Sequence, residues 1–397
     1  MGMEDYLEEI RERGFEGTGD RAVCLDCILD EGLRKQVAPH LTEDVCTFCD
    51  REATNEIPIA ADFEALMRPV MDAIRFFYYR SIDTLFIRDD VTPRYDSWDV
   101  AEEVCEGAVS DSVLEAIRDV ITPDEWNEDP SRLPPDVALR SAWNDFRRKV
   151  KHETRFVFLS IPERHSDDPD HYTTSEILDK LACIIKTRQG VLTKLPAGRT
   201  FYRGRMVDEP ETTNYNAATL GSPPPTKASA NRMSPAGISM FYGCDDIPTV
   251  VAEIGSHTTK RFAVVGAFET TRPLWMVNLA SLPEVPSVFD PEGREHYYEL
   301  KFLHEFTRDL SESVVLDGRE HIEYVPTQIV TEYMRWLPDV TIDGILFTSA
   351  QNHGTSCVIF CGPEGCADPG KETDKTTLRL KGGSLQTVRV VASPAAP

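Results

Sequence analysis

The chain has 397 residues, a formal net charge of -25 and an apolar fraction of 41%, enough for two or three domains with real cores. So acidic a surface repels a phosphate backbone, which excludes a general nucleic-acid binder and favours a basic protein partner. No run of about 18 apolar residues occurs, so no membrane segment is expected; the N-terminus, MGMEDYLEEIRERGFEGTGD, is acidic where a signal peptide is basic and then apolar, and a cytoplasmic location follows as the expectation.

The first feature in chain order is a cysteine pattern. Ten cysteines in a chain of this length do not make a disulfide scaffold. Four of them cluster: Cys24-Leu-Asp-Cys27, eighteen residues, then Cys46-Thr-Phe-Cys49. That paired spacing is the one used by four-thiolate zinc sites, and the intervening segment is long enough for a helical turn and a return. A closed four-cysteine site leaves no open position for substrate, so the expected Zn2+ is structural. Residues 1–60 are read as this zinc-binding module. Cys105, Cys183, Cys244, Cys357, Cys361 and Cys366 are scattered and read mostly as core or strand residues.

Residues 61–160 are read as a helical bundle. Apolar residues recur at helical spacing over 61–86, over 99–121 and over 134–159, with Pro134 and Pro135 suited to the third start. In that third helix Arg147 and His152 stand in an R-x4-H arrangement, the spacing used by nucleases of the HEPN class. Five residues on a helix leave the side chains about 140° apart, so a solvated basic helix end is the better reading. Residues 161–180, with the Pro, Asp, His and Ser of IPERHSDDPDHYTTSEI, read as a linker.

From there the pattern changes. After one more helix over 173–192 come short runs rich in Val, Ile, Phe and Tyr: FYRGR, GISMFYGC, RFAVVGAF, LWMVNL, GILFTSA and SCVIFC. Helical stretches begin near Ile247 and cover 324–337. This describes an α+β domain, taken as 181–365, with a small central mixed sheet. GPEGCADPGKETDKTT and the ending ASPAAP read as solvated tail, within a C-terminal extension over 366–397. Walker, GxGxxG, HExxH and GxSxG motifs are absent.

Four segments in order, FYRGR, ANRMSPAGISMFYGCDDIPTVVAEIG, EYVPTQIVTEYMRW and DGILFTSAQNHGTSCVIF, resemble the RES family, named for an arginine, a glutamate and a serine. The turn at Asn231-Arg232-Met233-Ser234-Pro235-Ala236-Gly237 keeps the arginine, proline and glycine of the family's G-R-W-N-P-x-G pattern and departs at Asn231, Met233 and Ser234. The N-terminal part resembles the zinc and HEPN-like helical module fused ahead of some RES domains. The resemblance implies an ADP-ribosyltransferase-like fold and a toxin that degrades NAD+ by phosphorolysis or hydrolysis, with inorganic phosphate as a possible co-substrate and an antitoxin or regulatory protein as partner. Transfer of ADP-ribose to a protein, or a catalytically idle interaction protein, are the alternatives.

The residue types suit that chemistry. Cleaving the nicotinamide ribosyl bond builds positive charge on the sugar, which a placed carboxylate, Glu253, stabilises. Arg232, with Arg203 or Arg205, is expected to grip the pyrophosphate through paired charge-assisted hydrogen bonds; strand alternation puts Arg203 and Arg205 on one face. Tyr242 offers a ring or hydroxyl near the nicotinamide, with Tyr202 beside the arginines. Ser349 offers a hydroxyl, although Thr348 and Ser356 lie close in sequence.

Overall fold

The computed structural model describes residues 3–54, 57–80, 95–122, 125–129, 132–160, 170–210, 213–255, 260–311 and 318–390. They form two compact units: Met1–Pro135 with Val285–Tyr298, and Asp136–Glu284 with Glu299–Pro397. This division differs from the sequence reading in three places, each for a packing reason.

In the first unit, strands Ala22–Cys24 and Leu41–Glu43 flank Ala60–Asp62 in an antiparallel sheet. Helix Phe63–Phe77 starts where the Asp62 carboxylate accepts the Glu64 N–H at 2.7 Å, and it buries Phe63, Leu66, Met67, Val70, Met71 and Ile74 along one stripe. The helical stretch read over 99–121 is two helices, Ser97–Cys105 and Asp111–Val120, separated where Gly107 takes a φ of 75°. Residues 81–86 of the expected first helix lie outside the described residues. Cys24, Cys27 and Cys46 share one buried core with Leu66, Ile74, Val100, Ile117 and Trp126. The boundary expected at residue 60 therefore does not separate two bodies.

The segment Val285–Tyr298 completes this unit from far along the chain. Phe289 is buried in its core, the Ser287 hydroxyl donates to Asp30 Oδ1 at 2.7 Å, and Arg294 donates to the Asp72 carbonyl at 2.8 Å while lying over the Phe76 ring. The Pro-rich, turn-like sequence of this stretch carries no periodicity that would reveal it.

Helix Pro135–His152 packs within the second unit and not with the N-terminal helices. Leu139, Trp143 and Phe146 pack with Ile177, Leu181, Phe302 and Phe306, and Trp143 and Arg147 both donate to Asp309 Oδ2, at 3.0 and 2.9 Å. Arg147 is thereby committed to an ion pair, and His152 is exposed in the last helical turn.

The sheet is mixed but not small: among the described residues it has ten strands. Their order runs Cys366–Ala367, Leu378–Leu380, Phe262–Thr270, Thr200–Val207, Phe241–Cys244, Thr355–Ile359, Gly344–Thr348, Leu274–Asn278 and Leu192–Leu195, with Gln386–Arg389 also paired to Phe262–Thr270. Leu274–Asn278 runs parallel to Gly344–Thr348 and Cys366–Ala367 parallel to Leu378–Leu380; the other pairs are antiparallel. The expected solvated tail is thus partly sheet. Leu378 and Leu380 are buried with Arg379 outward between them, and Arg379 reaches Glu269 at 3.1 Å. An alternation of three residues is too short to signal a strand. ASPAAP lies outside the described residues, as does 161–169 of the expected linker, whose remainder leads into helix Thr174–Thr187.

Phe289→Ala should lower the stability of the N-terminal unit by about 3 to 5 kcal/mol, the cost of emptying a buried aromatic site. Urea unfolding followed by tryptophan fluorescence measures this; an unchanged midpoint would show that the segment is not part of that core.

Candidate active site

Strand Thr200–Val207 pairs over its full length with Phe262–Glu269 and, at Tyr202, with Cys244. Helix Ile247–Gly255 lies against this strand. A Cβ built on Gly204 would stand 2.7 Å from Val250 Cγ1 and 2.8 Å from Ile254 Cδ1, so the helix can approach this closely only over a glycine. That approach sets Glu253, on the helix, over the strand that carries the two arginines.

The result is a cavity of about 510 Å³ lined by Tyr202, Arg203, Arg205, Tyr242 and Glu253 among others, within the size range of small-molecule sites. Among the described residues its charged lining is three cations, Arg203, Arg205 and Lys227, against the one carboxylate of Glu253. A chain of net charge -25 thus presents a cationic hollow, an arrangement for an anionic ligand.

The two arginines differ in what holds them. Arg203 donates from Nε to the Leu220 carbonyl at 2.8 Å and from Nη1 to the Tyr242 carbonyl at 2.6 Å, and it lies over the Phe241 ring. Burial, with Arg205 nearby, lowers its pKa to about 10. Arg205 is exposed at the cavity. Tyr242 shares a 2.8 Å hydrogen bond with the Ser234 hydroxyl, and burial pushes its phenol up to about 12, so it stays protonated at neutral pH.

Ser349 is fully buried and lies behind Glu253. Its hydroxyl donates to Glu253 Oε1 at 2.5 Å and accepts the Gln351 N–H at 3.1 Å, which fixes the direction of the donated proton. Ser356 is a cavity-lining residue whose hydroxyl meets Cys244; Thr348 is not in the lining.

Arg232 is not brought to the cavity. Its guanidinium donates to the Leu310 carbonyl, and the turn around it is fastened to helix Val325–Arg335: Thr327 donates to the Arg232 carbonyl, Gln328 to the Asn231 carbonyl at 2.8 Å and Thr331 to Met233 Sδ at 3.2 Å. The helical motif at 324–337 holds the turn that in turn presents Asn231 and Ser234 to the cavity. Lys227 escaped the sequence reading because it stands in PPPTKASAN, a segment with no strand or helix signal.

In the N-terminal unit the four sulfurs of Cys24, Cys27, Cys46 and Cys49 lie within 4.8 Å of one another. The separations Cys24–Cys27, Cys24–Cys49 and Cys27–Cys46 are 3.7, 3.6 and 3.9 Å. Sulfurs at about 2.3 Å around a tetrahedral ion stand about 3.8 Å apart, so the cluster has the dimensions of a closed metal site. The Cys24 N–H points at Cys46 Sγ at 3.3 Å, the kind of outer hydrogen bond that stabilises a ligating thiolate. Burial and the neighbouring sulfurs raise the Cys27 thiol pKa, and a cation would relieve that crowding.

The second unit is thus an α+β domain with a cationic cavity, and the cysteine-bearing helical unit precedes it in sequence. Residues 205–380 match the RES domain and residues 40–164 match HEPN/RES N-terminal domain 1. The chain thus carries a RES domain and, ahead of it in sequence, the HEPN/RES N-terminal domain. No curated protein matches the sequence. Among solved structures, a chain of the M. tuberculosis MbcT-MbcA toxin-antitoxin complex is similar at 14% identity over 54% of this chain and 92% of that one, with a TM-score of 0.29, too low to support a conclusion. Among the described residues no helix is long and apolar enough to cross a membrane.

Gly204→Ala should cost about 1 to 3 kcal/mol, because the new methyl overpacks against Val250 and Ile254. Thermal unfolding tests it; a wild-type transition would mean that the helix yields without cost.

Proposed function

We propose that the C-terminal unit cleaves the nicotinamide ribosyl bond of NAD+, with phosphate or water as acceptor. The observation that carries this reading is a single carboxylate, oriented by a buried serine, facing three cations in one cavity of a RES domain. The ligand such a hollow suits has an anionic part and a part that becomes positive, and NAD+ has both: a pyrophosphate and a ribose that gains oxocarbenium character as nicotinamide departs. The leaving group is already a cationic pyridinium, so no strong acid is required.

Arg205 and Lys227 are assigned to the pyrophosphate. Arg203, clamped by two carbonyls, fixes the cavity wall and presents the rest of its fork in a set plane. Glu253 stabilises the ribosyl cation, and Ser349 acts through it as a positioning residue. Tyr242, a neutral phenol at the wall, supplies an aromatic face for the nicotinamide. Arg232 is reassigned from pyrophosphate grip to anchoring the 231–237 turn. An ADP-ribosyltransferase-like relationship accords with this assignment. NAD+ depletion would make the chain toxic to its own cell, held in check by an antitoxin.

The four-cysteine cluster is proposed to hold one Zn2+ as a closed structural site that stabilises the N-terminal unit and takes no part in cleavage.

Incubating the pure protein with NAD+, with and without phosphate, and following nicotinamide release tests the reading. ADP-ribose phosphate as product identifies phosphorolysis, ADP-ribose hydrolysis and labelled protein transfer; no loss of NAD+ would overturn it. Glu253→Gln should lower kcat by about 10² to 10³, the scale of one preorganised transition-state contact. Arg205→Ala should chiefly raise KM. A Glu253→Gln protein with wild-type turnover would remove Glu253 from the chemistry.

Metal analysis of protein prepared without chelator should give about one zinc per chain. Cys46→Ser should release it and lower the melting temperature of the N-terminal unit. Metal-free, equally stable protein would refute the site.

A further inference from the structure

Cys361 and Cys366 belong to neither the metal cluster nor the cavity lining. They flank the short 3-10 turn Pro363–Gly365 at the end of the sheet, and both sulfurs converge on one buried residue. The Ser222 hydroxyl lies 3.8 Å from Cys361 Sγ and 3.5 Å from Cys366 Sγ, and the Ser222 backbone N–H also donates to Cys366 Sγ at 3.5 Å. Gly221 permits the approach: a Cβ there would stand 2.8 Å from Cys366 Cβ and 3.0 Å from its sulfur.

The two thiols differ as an attacking and a resolving sulfur differ. Cys361 is buried at 8% exposure, whereas Cys366 is partly exposed. The neighbouring Cys361 thiol, the Ser222 backbone N–H and hydroxyl, and the positive charge of Arg203 together pull Cys366 down to about 6. The neighbouring Cys366 sulfur and burial push Cys361 up.

We propose that Cys366 and Cys361 form a peroxide-reactive dithiol that closes to a reversible intramolecular disulfide. The Cys366 thiolate attacks one oxygen of a hydroperoxide, the O–O bond breaks, and the departing oxygen takes a proton from solvent, leaving as water where the oxidant is hydrogen peroxide. Sulfur is oxidised to a sulfenic acid and the peroxide is reduced. Cys361 then attacks the Cys366 sulfur; the S–S bond forms, and the hydroxyl leaves with the Cys361 proton as water. The site is two residues along from Leu220, whose carbonyl holds Arg203, but its chemistry stands independently of NAD+ cleavage.

The test treats the full chain at neutral pH with a few equivalents of hydrogen peroxide, alkylates the remaining thiols and maps the peptides by mass spectrometry. A Cys361–Cys366 linkage that dithiothreitol reverses is expected. Cys361→Ser should instead accumulate a Cys366 sulfenic acid that dimedone traps, and Cys366→Ser should leave Cys361 a free thiol. Separately, alkylation of Cys366 in the reduced protein should reach half its maximal rate well below the ordinary cysteine midpoint of about pH 8.5. Recovery of both cysteines as thiols after peroxide, or a Cys366 midpoint at the ordinary value, would overturn the proposal.

Discussion

The C-terminal unit depends on one antiparallel ladder, the eight-residue pairing of Thr200–Val207 with Phe262–Glu269. Long ladders fix register, because a slip of one residue would turn every inward side chain outward. Here register determines more than packing: it fixes Arg203 and Arg205 on either side of Gly204. The glycine admits the helix, and the helix brings Glu253. A backbone constraint with no chemistry of its own therefore sets the spacing between a carboxylate and its cations.

Charge is distributed against the average. With 67 acidic and 42 basic residues, the surface as a whole disfavours anions, yet the cavity lining is cationic. Of these positive groups Arg205 and Lys227 are exposed, and Arg203, held in the wall, is screened less than a guanidinium in open solvent. Net charge thus informs on solubility and on general partners, and says little about what a single hollow accepts.

Much of the site was legible in the sequence because its residues sit in segments with strong local signals. Glu253 lies in the apolar VVAEIG helix, Tyr202, Arg203 and Arg205 share one strand, and Ser349 follows the run GILFT. The side-chain direction of Arg232 was not legible, since a turn has no periodicity and its guanidinium answers to Leu310, distant in sequence. Lys227 lacked any local pattern. The three late strands are two to four residues long, shorter than an alternation can be read. Helix Pro135–His152 resembles its predecessors in pattern, and only its contacts with Phe302 and Phe306 show that it packs in the second compact unit.

The excursion at Val285–Tyr298 affects the order in which the protein comes into being. Ser287 and Asp30, joined by a hydrogen bond, are 257 residues apart in sequence. During synthesis the N-terminal unit emerges first, but its core lacks Phe289 until more than half of the second unit has left the ribosome. Domains ordinarily complete in the order in which they are made. Here the first unit waits on the second, and a nascent chain halted before residue 285 carries an open apolar seam for a chaperone to cover.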